Sequence, residues 1–295
     1  MGQHPWAVLL AGGDGTRLQS LTHRISGDSR PKQFCRLIAG KSLLSQTKER
    51  LKPIFPCDRT LFALTRAHEV FYREELSDAD QFQIVAQPQN RGTAVAIAAS
   101  LLRIAQTHAD ALVALFPCDH YYSNEEAFLL SVGSALAFAV DHPESIILLG
   151  AEAHYPEVEY GWIETGPAIP NSPVFRVNRF WEKPSLRKAR SLWRRGCLWN
   201  TFVSIGYAST FLELLRLRRP DVLRSSLEDN DLDGSYQNLA PADFSREILT
   251  PLPDRLLVVR DVGSGWADLG SPTRVISTLV RNRIEPAWLS KMRTV

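Results

Sequence analysis

The segment Leu10-Ala11-Gly12-Gly13-Asp14-Gly15-Thr16-Arg17-Leu18 puts three glycines into four positions directly after an apolar run. Without a Cβ, such a loop can turn tightly and lay successive N–H groups against phosphate oxygens. Leu10, Gly12, Gly13, Gly15 and Thr16 are therefore candidate nucleotide contacts. The dinucleotide fingerprint would need glycine where Leu18 stands, and a P-loop would need Gly-Lys-Ser/Thr, so neither applies. A glycine-rich turn without a ligand is the plain alternative. Arg17, and Lys32 within Arg30-Pro31-Lys32-Gln33-Phe34, argue against it, because two cations after the glycines suit a triphosphate.

Further along, Asp119 follows the apolar run Ala111 to Phe116, at the carboxyl end of a strand where ligands of α/β sheets bind. A carboxylate there can hold Mg²⁺ beside phosphate oxygens, or serve as a turn residue. Pro88, Asn90, Gly92 and Thr93 sit at another strand end. They can read a base edge, or form the first turn of a helix starting at Thr93. Glu182-Lys183-Pro184 joins a carboxylate able to accept from two sugar hydroxyls to a cation for phosphate, with a solvated strand end as the alternative. Gly161 permits close backbone approach to a sugar or a hairpin turn. Asn200 offers an amide that both donates and accepts, while its neighbour Trp199 suits the core. His120 is expected to be a hydrogen-bonded structural residue. Cys35, Cys57, Cys118 and Cys197 lack metal-ligand spacing and are expected as buried free thiols.

Taken in order, Gly12 to Leu18, Pro31 to Phe34, Gln87 to Ala94, Phe116 to His120, Glu182 to Pro184, Trp199-Asn200 and Gly265 to Ser271 resemble the motifs of the sugar-1-phosphate nucleotidyltransferases. The Pro31 to Phe34 segment is similar to the mannose-1-phosphate guanylyltransferase branch. The resemblance spans residues 6–272. It implies a Rossmann-like, mostly parallel sheet between helices, with a small antiparallel sugar-binding insertion. It also implies that Asp268 returns to Asp119 as a second Mg²⁺ ligand. Arg17 and Lys32 would hold the triphosphate, and Lys183 the sugar phosphate. The implied reaction is Mg²⁺-dependent guanylyl transfer from GTP to a hexose 1-phosphate, most naturally α-D-mannose 1-phosphate. The sugar-phosphate oxygen attacks the α-phosphorus directly, so positioning and charge neutralisation carry the catalysis. Transfer between another triphosphate and sugar phosphate, or a catalytically silent sugar-nucleotide binder, are the alternatives. Pro241 to Leu249 departs from the branch's usual pattern, with Asp243 and Phe244 matching best. No β-helical or cupin extension is expected after Ser271.

The elements that must position these residues alternate. Strand-like runs Trp6 to Ala11, Thr60 to Leu64, Phe82 to Ala86, Ala111 to Phe116 and Ser145 to Gly150 are separated by helical spacing at Leu43 to Leu51, Ala67 to Leu76, Thr93 to Thr107 and Glu125 to Val140. Ser42 and Asn124 suit N-caps. From about Glu152, short strands at Gly161 to Glu164 and Val174 to Trp181 predict an antiparallel element beside the main sheet. Helices follow at Leu186 to Arg194, Thr210 to Leu217 and Pro272 to Arg281, with a strand at Arg255 to Val259 and a polar stretch Glu228 to Gln237. Residues 1–284 are expected as one nucleotidyltransferase domain with a lid-like insertion at about 152–208, and 285–295 as a short tail. The 295 residues are 44% hydrophobic and 22% charged, with net charge +2 from 34 basic and 32 acidic side chains. That is ordinary globular composition without a broad field for nucleic acid. Neither an apolar span nor a leader is apparent, so a cytoplasmic location with no membrane partner is expected, with a homodimer left open.

Overall fold

The short apolar runs become strands of one central sheet because each can bury both faces under helices. In the computed structural model, which describes residues 4–170, 172–227 and 236–292, the strands are β1 (Trp6–Leu10), β2 (Thr60–Thr65), β3 (Ile84–Gln87), β4 (Leu112–Pro117), β5 (His120–Tyr121), β6 (Ile146–Ala151), β7 (Gly161–Ala168), β8 (Val174–Glu182), β9 (Leu198–Tyr207), β10 (Leu256–Asp261) and β11 (Ala267–Asp268). Nine of them form a sheet in the order β3-β2-β1-β4-β9-β6-β10-β8-β7, and β5 and β11 form a separate two-stranded ribbon. Strands β1 to β4 are mutually parallel, as are β6 and β10. Parallel direction sends the loops after β1, β3 and β4 to one edge, where the candidate residues lie.

Two apolar layers cover the sheet. One packs the helix Glu125–Asp141 against Phe116, Leu149, Trp162 and Trp199; the other packs Thr93–Ala105 and Ala208–Arg218 against Val8, Leu115, Leu148 and Val258. The caps behave as expected. Ser42 Oγ accepts from Ser45 N and Asn124 Oδ1 accepts from Ala127 N, each at 3.0 Å, satisfying N–H groups that the helix start leaves unpaired.

Several expectations need correction. The antiparallel strands extend the main sheet instead of lying beside it: β8 pairs with β10, and β7 with β9. The segment at about 152–208 is likewise no separable lid, since β9 lies between β4 and β6, antiparallel to both. Its run Leu198-Trp199-Asn200-Thr201-Phe202-Val203-Ser204-Ile205-Gly206-Tyr207 is rich in β-branched and aromatic residues, the signal for a buried strand. Between Ala67 and Leu76 only Glu69–Tyr72 is α-helical, after a 3-10 turn at Arg66–His68. Val70, whose position lends that stretch its helical pattern, is 78% exposed and contributes nothing to the core.

At the C-terminal side, Ala287–Met292 is helical, and Trp288 is buried with its indole N–H donating to Leu37 O at 2.9 Å. That part of the expected tail is packed against Leu37, Leu269 and Leu279. The polar stretch Glu228 to Gln237 lies outside the described residues over 228–235. Cys35, Cys118 and Cys197 are buried thiols, whereas Cys57 is exposed. No helix among the described residues is long and apolar enough to cross a membrane.

Candidate active site

The glycine loop after β1 is held from behind. Gln33 Nε2 donates to Ala11 O at 2.8 Å and to Gly13 O at 2.7 Å, and Thr65 Oγ1 donates to Gly12 O at 2.9 Å. With these carbonyls committed to the protein, its N–H groups are what the loop has to offer an anion. A Cβ on Gly12 would press on Thr65 Oγ1 at 3.2 Å. Gly15 takes a left-handed backbone (φ 63°) against Lys32 N, a conformation and a space that only glycine meets without strain. Leu10, Gly13, Gly15, Thr16, Arg17, Lys32 and Asp119 together line a cleft of about 250 Å³.

At the floor of this cleft β5 pairs with β11 so that Asp268 lies opposite His120, next to Asp119. Lys32 Nζ lies 2.8 Å from Asp119 Oδ2 and 3.6 Å from Asp268 Oδ1, and it donates to Leu269 O at 3.4 Å. Burial opposes charge on both partners. The mutual attraction outweighs it, so the Lys32 ammonium is held above the usual lysine value and the Asp119 carboxyl below the usual carboxylate range. His120 Nδ1 accepts from Trp266 Nε1 at 3.1 Å, and burial lowers its pKa, which fits the structural role expected of it. Two carboxylates converging on one cationic atom, beside a loop that offers N–H groups to phosphate, are a donor set suited to Mg²⁺. That ion takes one or two carboxylates and completes its shell with phosphate oxygens and water. Among the described residues no cluster of three or more His, Cys, Asp and Glu side chains forms an all-protein cage.

The loop after β3 is braced by a segment distant in sequence. Ala242 N donates to Arg91 O, Ala94 N to Ala242 O and Phe244 N to Thr93 Oγ1, at 2.9 to 3.0 Å. Gly92 (φ 88°) faces Ala242 so closely that any Cβ would strike its backbone. Asn90, a candidate for reading a base edge, ties this loop to the glycine loop: Nδ2 donates to Asp14 Oδ2 and Oδ1 accepts from Gly92 N, both at 3.0 Å. Pro88 follows β3 directly.

At the start of β7, a Cβ on Gly161 would lie 3.0 Å from Glu182 Oε2 and 3.2 Å from Asn200 Cβ, so these three expected residues do meet. Burial and the nearby charge of Asp243 push the Glu182 carboxyl up to about 7, against the opposing pull of Lys183 and Arg246. Lys183 holds a left-handed backbone (φ 44°), with its N–H donating to Tyr160 O at 3.2 Å and its ammonium 3.8 Å from Glu182 Oε1. Strain of that kind in a non-glycine residue persists where surroundings enforce it, as at ligand sites. Asn200 Oδ1 accepts from Phe202 N at 3.1 Å, which fixes the plane of the amide and so the direction in which its NH₂ donates.

Residues 6–280 match the family model described as nucleotidyl transferase. The chain belongs to the nucleotidyl transferase family. Among curated relatives it is 30% identical over 283 residues to the alginate biosynthesis protein AlgA of Pseudomonas syringae pv. tomato, covering 89% of this chain and 56% of the relative. It is 30% identical to the mannose-1-phosphate guanylyltransferase ManC of Salmonella typhimurium, covering 90% and 58%. The chain thus spans little more than half the length of these relatives. A solved structure described as mannose-1-phosphate geranyltransferase from Thermus thermophilus superposes with TM-score 0.77 at 29% identity, covering 91% of this chain and 77% of that one. Around the expected residues the structure gathers others to which sequence reasoning gave no role. Gln33 and Thr65 hold the glycine loop, Ala242 packs on Gly92, Asp243 lies near Glu182, and Glu157 and Arg274 lie behind Asp268. Gln33 stands inside a recognised motif, whereas Arg274 has no local signal beyond its place after the cap at Ser271.

Proposed function

We propose that the chain transfers a guanylyl group from GTP to a hexose 1-phosphate, α-D-mannose 1-phosphate, releasing pyrophosphate and forming the GDP-sugar. The observation that carries this reading is the meeting of Lys32, Asp119 and Asp268 at the floor of the glycine-loop cleft, on the sheet edge that also bears Gly161, Glu182, Lys183 and Asn200. The mannose-1-phosphate guanylyltransferase named among the relatives supports the choice of GTP and mannose.

In this reading the loop N–H groups, Arg17 and Lys32 bind the triphosphate and take up the charge of the departing pyrophosphate. Lys183 orients the sugar phosphate for in-line attack, while Glu182 accepts hydrogen bonds from sugar hydroxyls and Asn200 donates one. The attacking phosphate oxygen is already ionised at neutral pH, so no side chain has to remove a proton. The new P–O bond forms on the α-phosphorus as the bond to the β-phosphate oxygen breaks, and the work left to the protein is alignment. Asp119 and Asp268 would hold Mg²⁺, which when bound supplies further neutralisation of phosphate charge.

Another triphosphate and sugar phosphate form the second reading. It is favoured by Pro241 to Leu249, which departs from the branch's pattern and packs directly on the Arg91 to Ala94 loop. Pyrophosphate release from GTP, ATP, UTP and dTTP against several hexose 1-phosphates decides between them, with GTP and mannose 1-phosphate expected fastest. No release with any pair, together with tight GDP-sugar binding, would make the protein a silent binder.

A further inference from the structure

Arg274 occupies the side of Asp268 away from Lys32. Its Nη1 lies 2.7 Å from Asp268 Oδ2, and its Nη2 lies 3.0 Å from Glu157 Oε2. The guanidinium carbon also sits 4.6 Å from the centre of the Tyr160 ring. All three charged side chains are buried to a similar degree, with 13% to 15% of each exposed. Glu157 is itself immobilised. Its Oε1 accepts from Val158 N at 2.8 Å and Glu159 N at 2.9 Å, and its carbonyl accepts from Trp162 Nε1 at 2.8 Å. The two oxygens of Asp268 therefore have separate duties: Oδ2 is tied to Arg274, and Oδ1 faces the Lys32 ammonium in the cleft.

We infer that Arg274, anchored by Glu157, is a positioning residue that presents Asp268 to the metal through Oδ1 alone. The inference rests on the metal-dependent transfer proposed above. A flat guanidinium with a fork of donors can bridge two carboxylates in a fixed plane, which a lysine ammonium cannot do. Partners that orient a metal ligand are worth about 10- to 100-fold in metal affinity or activity.

The brace also links subsites. The loop from Tyr155 to Tyr160 supplies Glu157 to Arg274, Glu159 to Arg17 at 2.7 Å, and the Tyr160 carbonyl to Lys183 N at 3.2 Å. One short segment thus touches the phosphate arginine, the arrangement behind the metal aspartate and the sugar-phosphate lysine.

The test uses R274K, which keeps the charge, and E157Q, which keeps the shape. Mn²⁺ affinity is read by electron paramagnetic resonance with a non-hydrolysable GTP analogue, and Mg²⁺ dependence by pyrophosphate release. Each variant is expected to weaken Mn²⁺ binding and raise the half-maximal Mg²⁺ concentration about tenfold. KM for the sugar phosphate should stay within about twofold, and the double variant should be no worse than the poorer single, since both break one link. Unchanged Mn²⁺ affinity, additive losses, or a raised sugar-phosphate KM at unchanged metal dependence would overturn the inference, the last by making Arg274 a substrate contact. If R274K does not fold, E157Q alone decides. Should the wild type release no pyrophosphate, the functional reading fails, while comparison of Mn²⁺ affinities still judges the brace. Wild-type protein that binds no Mn²⁺ overturns the brace.

Discussion

Lys32 Nζ and Asp119 Oδ2 are 2.8 Å apart at the floor of the cleft beneath the glycine loop. One side chain comes from the 3-10 turn Lys32–Phe34 and the other from just past the end of β4, so only the folded sheet edge brings them together. Both are assigned to charge neutralisation during transfer. K32A and D119A are each expected to lower kcat at least about a hundredfold, roughly 2.7 kcal/mol of transition-state stabilisation. Steady-state pyrophosphate release measures it, and near-normal rates would refute the assignment.

The same contact predicts a link between metal and stability. Removing the ammonium takes away the cation between Asp119 and Asp268 and leaves Asp268 only its pair with Arg274, at a cost of up to about 3 kcal/mol. K32A should therefore unfold at lower denaturant concentration in EDTA than the wild type. Millimolar Mg²⁺ should restore part of the loss, because a ligand bound only by the folded state stabilises it. Denaturant titrations with and without Mg²⁺ test this, and equal midpoints for K32A in both conditions would count against a shared site.

Glu182 sets a pH dependence. Burial, with Asp243 nearby, raises its carboxyl from an ordinary value of 4.5 to about 7, so the folded state binds the extra proton between these values. Its contribution to stability is then fully present below about pH 4.5 and declines as pH rises through 7. Substrate binding should run the other way, since only the ionised form accepts hydrogen bonds from two hydroxyls. kcat/KM for the sugar phosphate is expected to rise across pH 7, and E182Q should flatten both the stability profile and that limb of the rate profile. A stability profile unchanged in E182Q would mean that Glu182 does not titrate there.

Arg17 and Glu159 form a solvent-exposed pair at 2.7 Å, with 58% and 47% of their side chains accessible. Pairs of this kind contribute at most about 1 kcal/mol. E159Q should leave the melting temperature nearly unchanged, while R17A raises KM for GTP about tenfold or more through the loss of a phosphate contact. A thermal melt beside a GTP titration separates the two effects.

Gly92 tests the contact between the loop after β3 and the Ala242 segment. Its positive φ and the Ala242 backbone facing it leave no room for a methyl group. G92A is expected to cost about 1–3 kcal/mol, with GTP binding weakened more than sugar-phosphate binding. Calorimetric titration with GTP and denaturant unfolding measure the two consequences.

Signals readable within a short window come through intact: the glycine loop, the caps at Ser42 and Asn124, the parallel strands of the first half, and the helices Leu43–Leu51, Leu186–Arg194 and Pro272–Arg281. They rest on backbone freedom, side-chain period and cap chemistry, which a few neighbouring residues decide by themselves. The pairing of Asp119 with Asp268 is implied by family resemblance and by nothing in either segment alone. Tertiary structure decided the rest. β9 joins the middle of the sheet, Ala242 packs on Gly92, and Arg274 bridges Asp268 and Glu157. Such partners are chosen by burial and hydrogen-bond satisfaction summed over the whole molecule, and no local window of the chain carries that sum.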